Sequence, residues 1–219
     1  LYGWPLYKGL YIDRCFDVGR VNNVHFWPFW GYSGDEDPIG RFVSEKATAF
    51  IIGRTDWEYM SNCFCIFYHT GFHFIGGPHG GGNVMLTRSG SDIGPCAVRV
   101  DEIQGHSGVS FTNSQLFGRI ETGEKNTGPL RFTACGFYGA TRQQEVRETI
   151  HAGIAGNGHV SFDNCHFITL DPANSADICI RASGGGLSIT DSLFMDADRT
   201  HVLLEQGLRS AVITGNTFH

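Results

Sequence analysis

The chain has 219 residues, enough to bury one sizeable core and too few to demand a second domain, so a single domain over 1–219 is expected. Hydrophobic residues make up 41% and charged residues 17%, which excludes a disordered acidic chain, and no apolar run approaches the ~20 residues of a bilayer span, so no membrane partner is expected. The net charge of −6, with 16 scattered Lys and Arg, argues against nucleic acid, and 30 glycines set between short apolar stretches point to many turns and many short strands.

The opening residues LYGWPLYKGL lack the charged-then-apolar layout of a secretory signal. The chain starts without Met and stops directly after a repeat motif, which reads as a fragment or a processed chain. Gly19, Val21 and Phe26 are the first residues to fit the first, third and eighth positions of a pattern that becomes plain downstream. Residues 27–49 then interrupt it as a loop insertion. There the run His25-Phe26-Trp27-Pro28-Phe29-Trp30-Gly31-Tyr32 leads into Asp35-Glu36-Asp37 and Arg41. Exposed rings beside charged groups stack on the C–H faces of sugars, which makes His25, Trp27, Trp30 and Tyr32 candidate substrate-binding residues; the same run would also serve as an aromatic plug on the end of a solenoid.

The pattern resumes at Trp57, Tyr59 and Phe64. His69 and His73 stand four apart, but Phe72 and Phe74 alternate as in a strand and put His73 outside, so no metal is expected there. His73 stays a candidate general base. Gly76 to Asn83 is glycine-rich without the Gly-Lys-Ser/Thr ending of a phosphate loop, and reads as a tight turn. Val98 and Val100 alternate again.

From Val109 the repeat is explicit. Segments beginning at Val109, Leu130, Val160, Leu187 and Ala211 read VSFTNSQLF, LRFTACGFY, VSFDNCHFI, LSITDSLFM and AVITGNTFH. Their third positions hold Phe111, Phe132, Phe162, Ile189 and Ile213; their eighth hold Leu116, Phe137, Phe167, Phe194 and Phe218. Small or polar residues between them suit a bend. A second alternating stretch precedes most segments, as in Ile178 and Ile180 or Val202 and Leu204, so one coil carries at least two strands, and equal positions in successive coils should stack ~4.8 Å apart. A β-sandwich would not need one residue type at one offset in five consecutive units. The expected fold is all-β, a right-handed parallel β-helix of about seven coils.

The V-x-F-x-N-C-x-F repeat resembles that of the pectate-lyase superfamily of right-handed β-helix proteins, which includes polysaccharide lyases, polygalacturonase-like hydrolases and tailspikes. The resemblance covers nearly the whole chain and implies architecture more than chemistry. Of the hydrolase signatures N-T-D, D-D, G-H-G and R-x-K, only Pro78-His79-Gly80 is a partial echo, so that active site does not transfer.

With Trp57 and Tyr59 inward, alternation sends Asp56 and Glu58 outward about 6.7 Å apart. That fits an inverting glycoside hydrolase, whose carboxylates stand ~6.5 to 9.5 Å apart. The alternative is a structural pair between Glu58 and Arg20 of the preceding coil. A lyase would instead combine a base with charge neutralisation, from Arg20, Arg54, His69 and His73. A non-catalytic, tailspike-like glycan binder is the reading from another class. The outward residues Ser110, Arg131, Ser161, Ser188 and Val212 form no apolar stripe, which favours a monomer over a trimer. The seven cysteines lack metal-ligand spacing, and Cys135 and Cys165 share one column ~4.8 Å apart, too far for a disulfide, so free thiols are expected. The partner is thus a polysaccharide or oligosaccharide, with no cofactor and a secreted or cell-surface location.

Overall fold

The computed structural model describes residues 1–28, 31, 37–140, 149–171 and 176–219. Within them, three parallel sheets of nine, eight and eight strands form a β-solenoid of about eight turns, with one helix, Pro38–Lys46. Each turn visits the sheets in one order. The first runs through Tyr2–Gly3, Lys8–Ile12 and Cys15–Asn22, in what we call the first, second and third sheets. Every strand except the two at the ends of each sheet pairs with the strand one turn before and one turn after it, so no neighbours are consecutive in sequence.

The downstream repeat has the expected register. Val109, Leu130, Val160, Leu187 and Ala211 are successive partners in the third sheet, as are Leu116, Phe137, Phe167, Phe194 and Phe218 in the first. One turn of rise is one strand spacing, so equivalent rings are held at stacking distance. Phe137, Phe167 and Phe194 follow one another with centroids 4.8 and 4.5 Å apart and planes within 11°. The buried aromatic after each bend is itself in a short two-residue strand, such as His166–Phe167, so a turn has three strands where at least two were expected.

The bend between third and first sheets has one construction in all eight turns. Its fifth repeat position has positive φ throughout: Asn23, Asn62, Arg88, Asn113, Ala134, Asn164, Asp191 and Gly215. A single left-handed residue turns the chain without a longer loop, and Asn, Asp and Gly adopt that conformation at least cost. The sixth position is Val24 in the first turn and Ser, Cys or Asn in the others, where its side chain binds backbone. Ser89 Oγ donates to Thr87 O at 3.1 Å and accepts from Cys63 N at 3.3 Å; Ser192 Oγ does the same with Thr190 O and Cys165 N at 2.9 and 3.0 Å. All seven cysteines are free, Cys135 and Cys165 included.

The N-terminal part departs from expectation in three ways. A turn carrying Val84–Thr87 lies between those of Thr55–Ser61 and Val109–Thr112; its eighth position is Ser91, which hides it from a search for large apolar residues. The span 27–49 is not wholly loop. Its described part holds the helix Pro38–Lys46, whose N-cap Asp37 accepts from Ile39 N at 3.0 Å and whose Val43 is buried, and the strand Thr48–Ile52 has begun by residue 48. The third departure is one of register. Gly19, Val21 and Phe26 pair with Glu58, Met60 and Cys65, one residue on from Trp57, Tyr59 and Phe64.

Candidate functional site

That one-residue difference decides which side chains face solvent, because a shift of one flips every side chain of a strand. Met60 is buried and Glu58 is 2% exposed, whereas Trp57 and Tyr59 are 54% and 39% exposed on the outer face of the third sheet. The expected outward pair of Asp56 and Glu58 is therefore corrected: the two outward groups are aromatic. Glu58 fills the space that its partner Gly19 leaves, where an added Cβ would lie 1.8 Å from Glu58 Oε2. Burial pushes its carboxyl above the ordinary carboxylate range. Arg20 stands beside Tyr59, not Glu58, so the expected Arg20–Glu58 pair is not formed by register either.

Asp56 is held at the corner between second and third sheets. It pairs with Arg54, and its backbone carbonyl accepts from Asn83 Nδ2 at 2.7 Å. Arg54 Nη1 also donates to Thr55 O at 2.6 Å, and its guanidinium lies 5.6 Å over the exposed ring of Phe16. The adjoining outer face thus carries Phe16, Trp57 and Tyr59, with Arg20 and Met85 flanking Tyr59 in register. Two outward residues on one strand are about 6.7 Å apart, so Trp57 and Tyr59 offer adjacent rings to one extended ligand.

His73 faces outward from the second sheet, in register with Arg99 and Glu121. Its Nε2 is 2.7 Å from Asp101 Oδ2, while Arg99 Nε donates to Asp101 Oδ1 at 3.1 Å. The hydrogen bond from His73 and the nearby Arg99 hold the Asp101 carboxyl below its ordinary value. This is a histidine oriented by a carboxylate beside a cation, on a different face from the aromatic pair. His69 lies before the strand Thr70–Phe74, with Nδ1 3.0 Å from Thr70 Oγ1. His25 packs among rings on the first sheet, 5.7 Å from both Tyr2 and Trp27 and 5.0 Å from Phe64, and burial lowers its pKa. Trp30 and Tyr32 lie outside the described residues.

No protein-family model, curated protein or solved structure matches the chain.

One buried group lies outside the residues that the sequence pattern singles out. His151, Cys179 and Asp196 bring a ring nitrogen, a thiol and a carboxylate within 4.8 Å of one another. His151 Nε2 is 3.2 Å from Asp196 Oδ2 and Cys179 Sγ is 3.9 Å from the same oxygen. Burial lowers the pKa of His151 and pushes the Cys179 thiol up to about 12; hydrogen bonds from His151 and Thr169 overcome burial and hold Asp196 at about 2. The three lie 28 and 17 residues apart in the chain, without motif spacing, and only the coil register brings them together. The signal within reach was the repeat itself, which places Cys179 one turn from His151 once the strand before Val160 is aligned with that before Leu187.

Proposed function

We propose that the chain is a polysaccharide-binding solenoid of the pectate-lyase superfamily type, which holds a neutral glycan on the outer face of its third sheet. The observation that carries this reading is the outward pair Trp57 and Tyr59, exposed side by side on a parallel sheet whose later turns place Ser110, Arg131, Ser161 and Ser188 in the column of Tyr59, with Met85 and Val212 the apolar members of that column. Rings whose faces are open to solvent bind the apolar faces of sugar rings, and the Arg54–Asp56 pair and Arg20 supply partners for hydroxyls. A net charge of −6 makes a neutral polymer a better partner than a polyanion. The polar outer column favours a monomer, and a polysaccharide partner places the protein outside the cell or on its surface. Binding, not hydrolysis, is the part of the carbohydrate reading that this face supports, since Glu58 is turned inward and Asp56 is tied to Arg54.

A second reading rests on His73. Its contact with Asp101 beside Arg99 supports a proton-abstracting lyase site on the second sheet. One experiment separates the two. The protein is run by affinity electrophoresis against neutral and uronic polysaccharides, and the same mixtures are followed for reducing ends and for absorbance from unsaturated products. Retardation by a neutral glycan that weakens about threefold to tenfold on Trp57→Ala or Tyr59→Ala supports binding at the pair, consistent with ~0.5 to 1.5 kcal/mol per ring. Unsaturated product from a uronic polymer, lost in His73→Ala, would favour the lyase. Absence of retardation by any glycan would remove the binding reading.

A further inference from the structure

The carbohydrate reading makes no use of His151, Cys179 and Asp196. We propose that these three bind one thiophilic divalent cation of the zinc type, clamping consecutive turns of the solenoid from within. A register irregularity builds the site. Thr149 pairs with Ile178 and Ala152 with Ile180, so Ile150 and His151 together stand opposite Cys179. Such a bulge re-aims a side chain. Here it brings the imidazole of one turn to the thiol of the next, both fully buried. Asp196, from the segment that follows Leu193–Phe194, closes the group.

The geometry is close to that of a ligand set. Bonds of about 2.0 to 2.3 Å in a tetrahedral zinc site separate the donor atoms by about 3.3 to 3.8 Å. The separations from Asp196 Oδ2 are 3.2 Å to His151 Nε2 and 3.9 Å to Cys179 Sγ, and all three donor atoms lie within 4.8 Å of one another, so closing on a cation moves the imidazole and the thiol together by at most about 1 Å. The carboxylate is already oriented. Thr169 N donates to its Oδ1 and Thr169 Oγ1 to its Oδ2, both at 2.8 Å, and His201 Nε2 lies 2.8 Å from the Asp196 carbonyl oxygen. His151 Nδ1 is buried with no hydrogen-bond partner among the described residues, so the ring is held through the one nitrogen that faces the acid and the thiol. Sulfur and imidazole donors favour zinc and its neighbours over magnesium or calcium. The Asp196 side chain keeps 10% exposure, which leaves its side of the site open to an entering ion and to water as a fourth ligand.

The test uses the whole chain, reduced, stripped with a chelator and titrated with Co2+. The expected result is one equivalent bound, with a sulfur-to-cobalt charge-transfer band in the near ultraviolet that Zn2+ displaces. Cys179→Ser should abolish that band and weaken binding by about tenfold or more, while Cys135→Ser, in another buried thiol, keeps it. Absence of the band, or its survival in folded Cys179→Ser, overturns the proposal and leaves the trio a buried hydrogen-bonded pair beside a thiol. Should Cys179→Ser fail to fold, X-ray absorption of the zinc-loaded wild-type protein decides. One sulfur among nitrogen and oxygen ligands supports the site, and a shell with no sulfur or with two overturns it.

Discussion

The turns between Val109 and Phe194 and the turn that carries Thr55–Ser61 share one bend and one register, yet they put their aromatic residues on opposite sides of the wall. In the downstream turns, Phe111, Phe132 and Phe162 stack inside the third sheet at 5.3 and 5.2 Å, and Phe137, Phe167 and Phe194 inside the first. In the upstream turn those inner positions hold Glu58, Met60 and Cys65, and the aromatic residues Trp57, Tyr59 and Phe64 take the places between them. The core there is supplied by the second sheet instead, where Phe50 and Phe72 stack at 4.8 Å and Phe50 also packs at 5.1 Å on Phe26 of the first sheet. The side an aromatic takes is thus set by its parity relative to the left-handed bend residue, not by its hydrophobicity. Where the second sheet fills the interior, the third is free to show rings to solvent.

The sharpest way to break this comparison is to remove a ring from each side of the wall. Phe167 lies between Phe137 and Phe194 with no exposed surface, so Phe167→Ala should destabilise by about 3 to 5 kcal/mol in denaturant melts. In a solenoid the loss should concentrate in neighbouring turns, which hydrogen exchange would show as faster opening near His166–Phe167 than near Thr55–Ser61. Uniform acceleration along the chain would contradict a column of locally coupled turns.

A smaller effect, of opposite sign, tests the bend. Ala134 has φ 52° where six of the other seven turns place Asn, Asp or Gly and the seventh places Arg88. The left-handed conformation costs an L residue about 1 to 2 kcal/mol, part of which glycine returns as lost chain entropy. Ala134→Gly should therefore raise stability by about 0.5 to 1 kcal/mol, measured as a higher denaturant midpoint at unchanged slope.

The same bend explains what could be read from the sequence. Five downstream segments repeat large apolar residues at two offsets, so their fold and ring stacking were legible without coordinates. The turn at Val84 was not, because Ser91 stands where a Phe was sought. The turn at Glu58 was misread by one residue, because Trp57 and Tyr59 look like core residues and drew the register to themselves. Asn62-Cys63 was the correct anchor, since it matches Asn164-Cys165 at the bend, and counting back from it puts Glu58 and Met60 inside. For the buried trio the obstacle was different: a bulge at His151 cannot be read from periodicity, which assumes strict alternation.

Glu58 gives a third test. A carboxyl whose folded pKa is raised binds its proton more tightly in the native state, so its contribution is fully present below the unfolded pKa and is lost as pH rises through the folded one. Asp101 and Asp196, held low, act in the reverse sense, their contribution being lost as pH falls. The difference between wild type and Glu58→Gln cancels both. Relative to the variant, the wild type should lose stability as pH rises from about 4, seen as a widening gap in melting midpoints; parallel curves would mean that Glu58 titrates like an exposed acid.

The smallest effect on stability is expected where the effect on binding is largest. Trp57 is more than half exposed and its ring faces away from the core, so Trp57→Ala should change folding stability by no more than about 0.5 kcal/mol. A core tryptophan would cost about 3 to 5 kcal/mol, several times more, so a denaturant melt alone decides between the outward position and the inward one first read from the alternation. The same variant carries the functional contrast. If a neutral glycan binds along the outer face, its affinity should fall in Trp57→Ala while the melt stays put, and Arg131→Ala, three turns from Tyr59 in its outer column, should leave both nearly unchanged. Loss of stability with loss of binding would make Trp57 a structural residue. Loss of binding alone would mark the upstream turns as the part of the solenoid in which aromatic residues have been moved from holding the fold to holding a ligand.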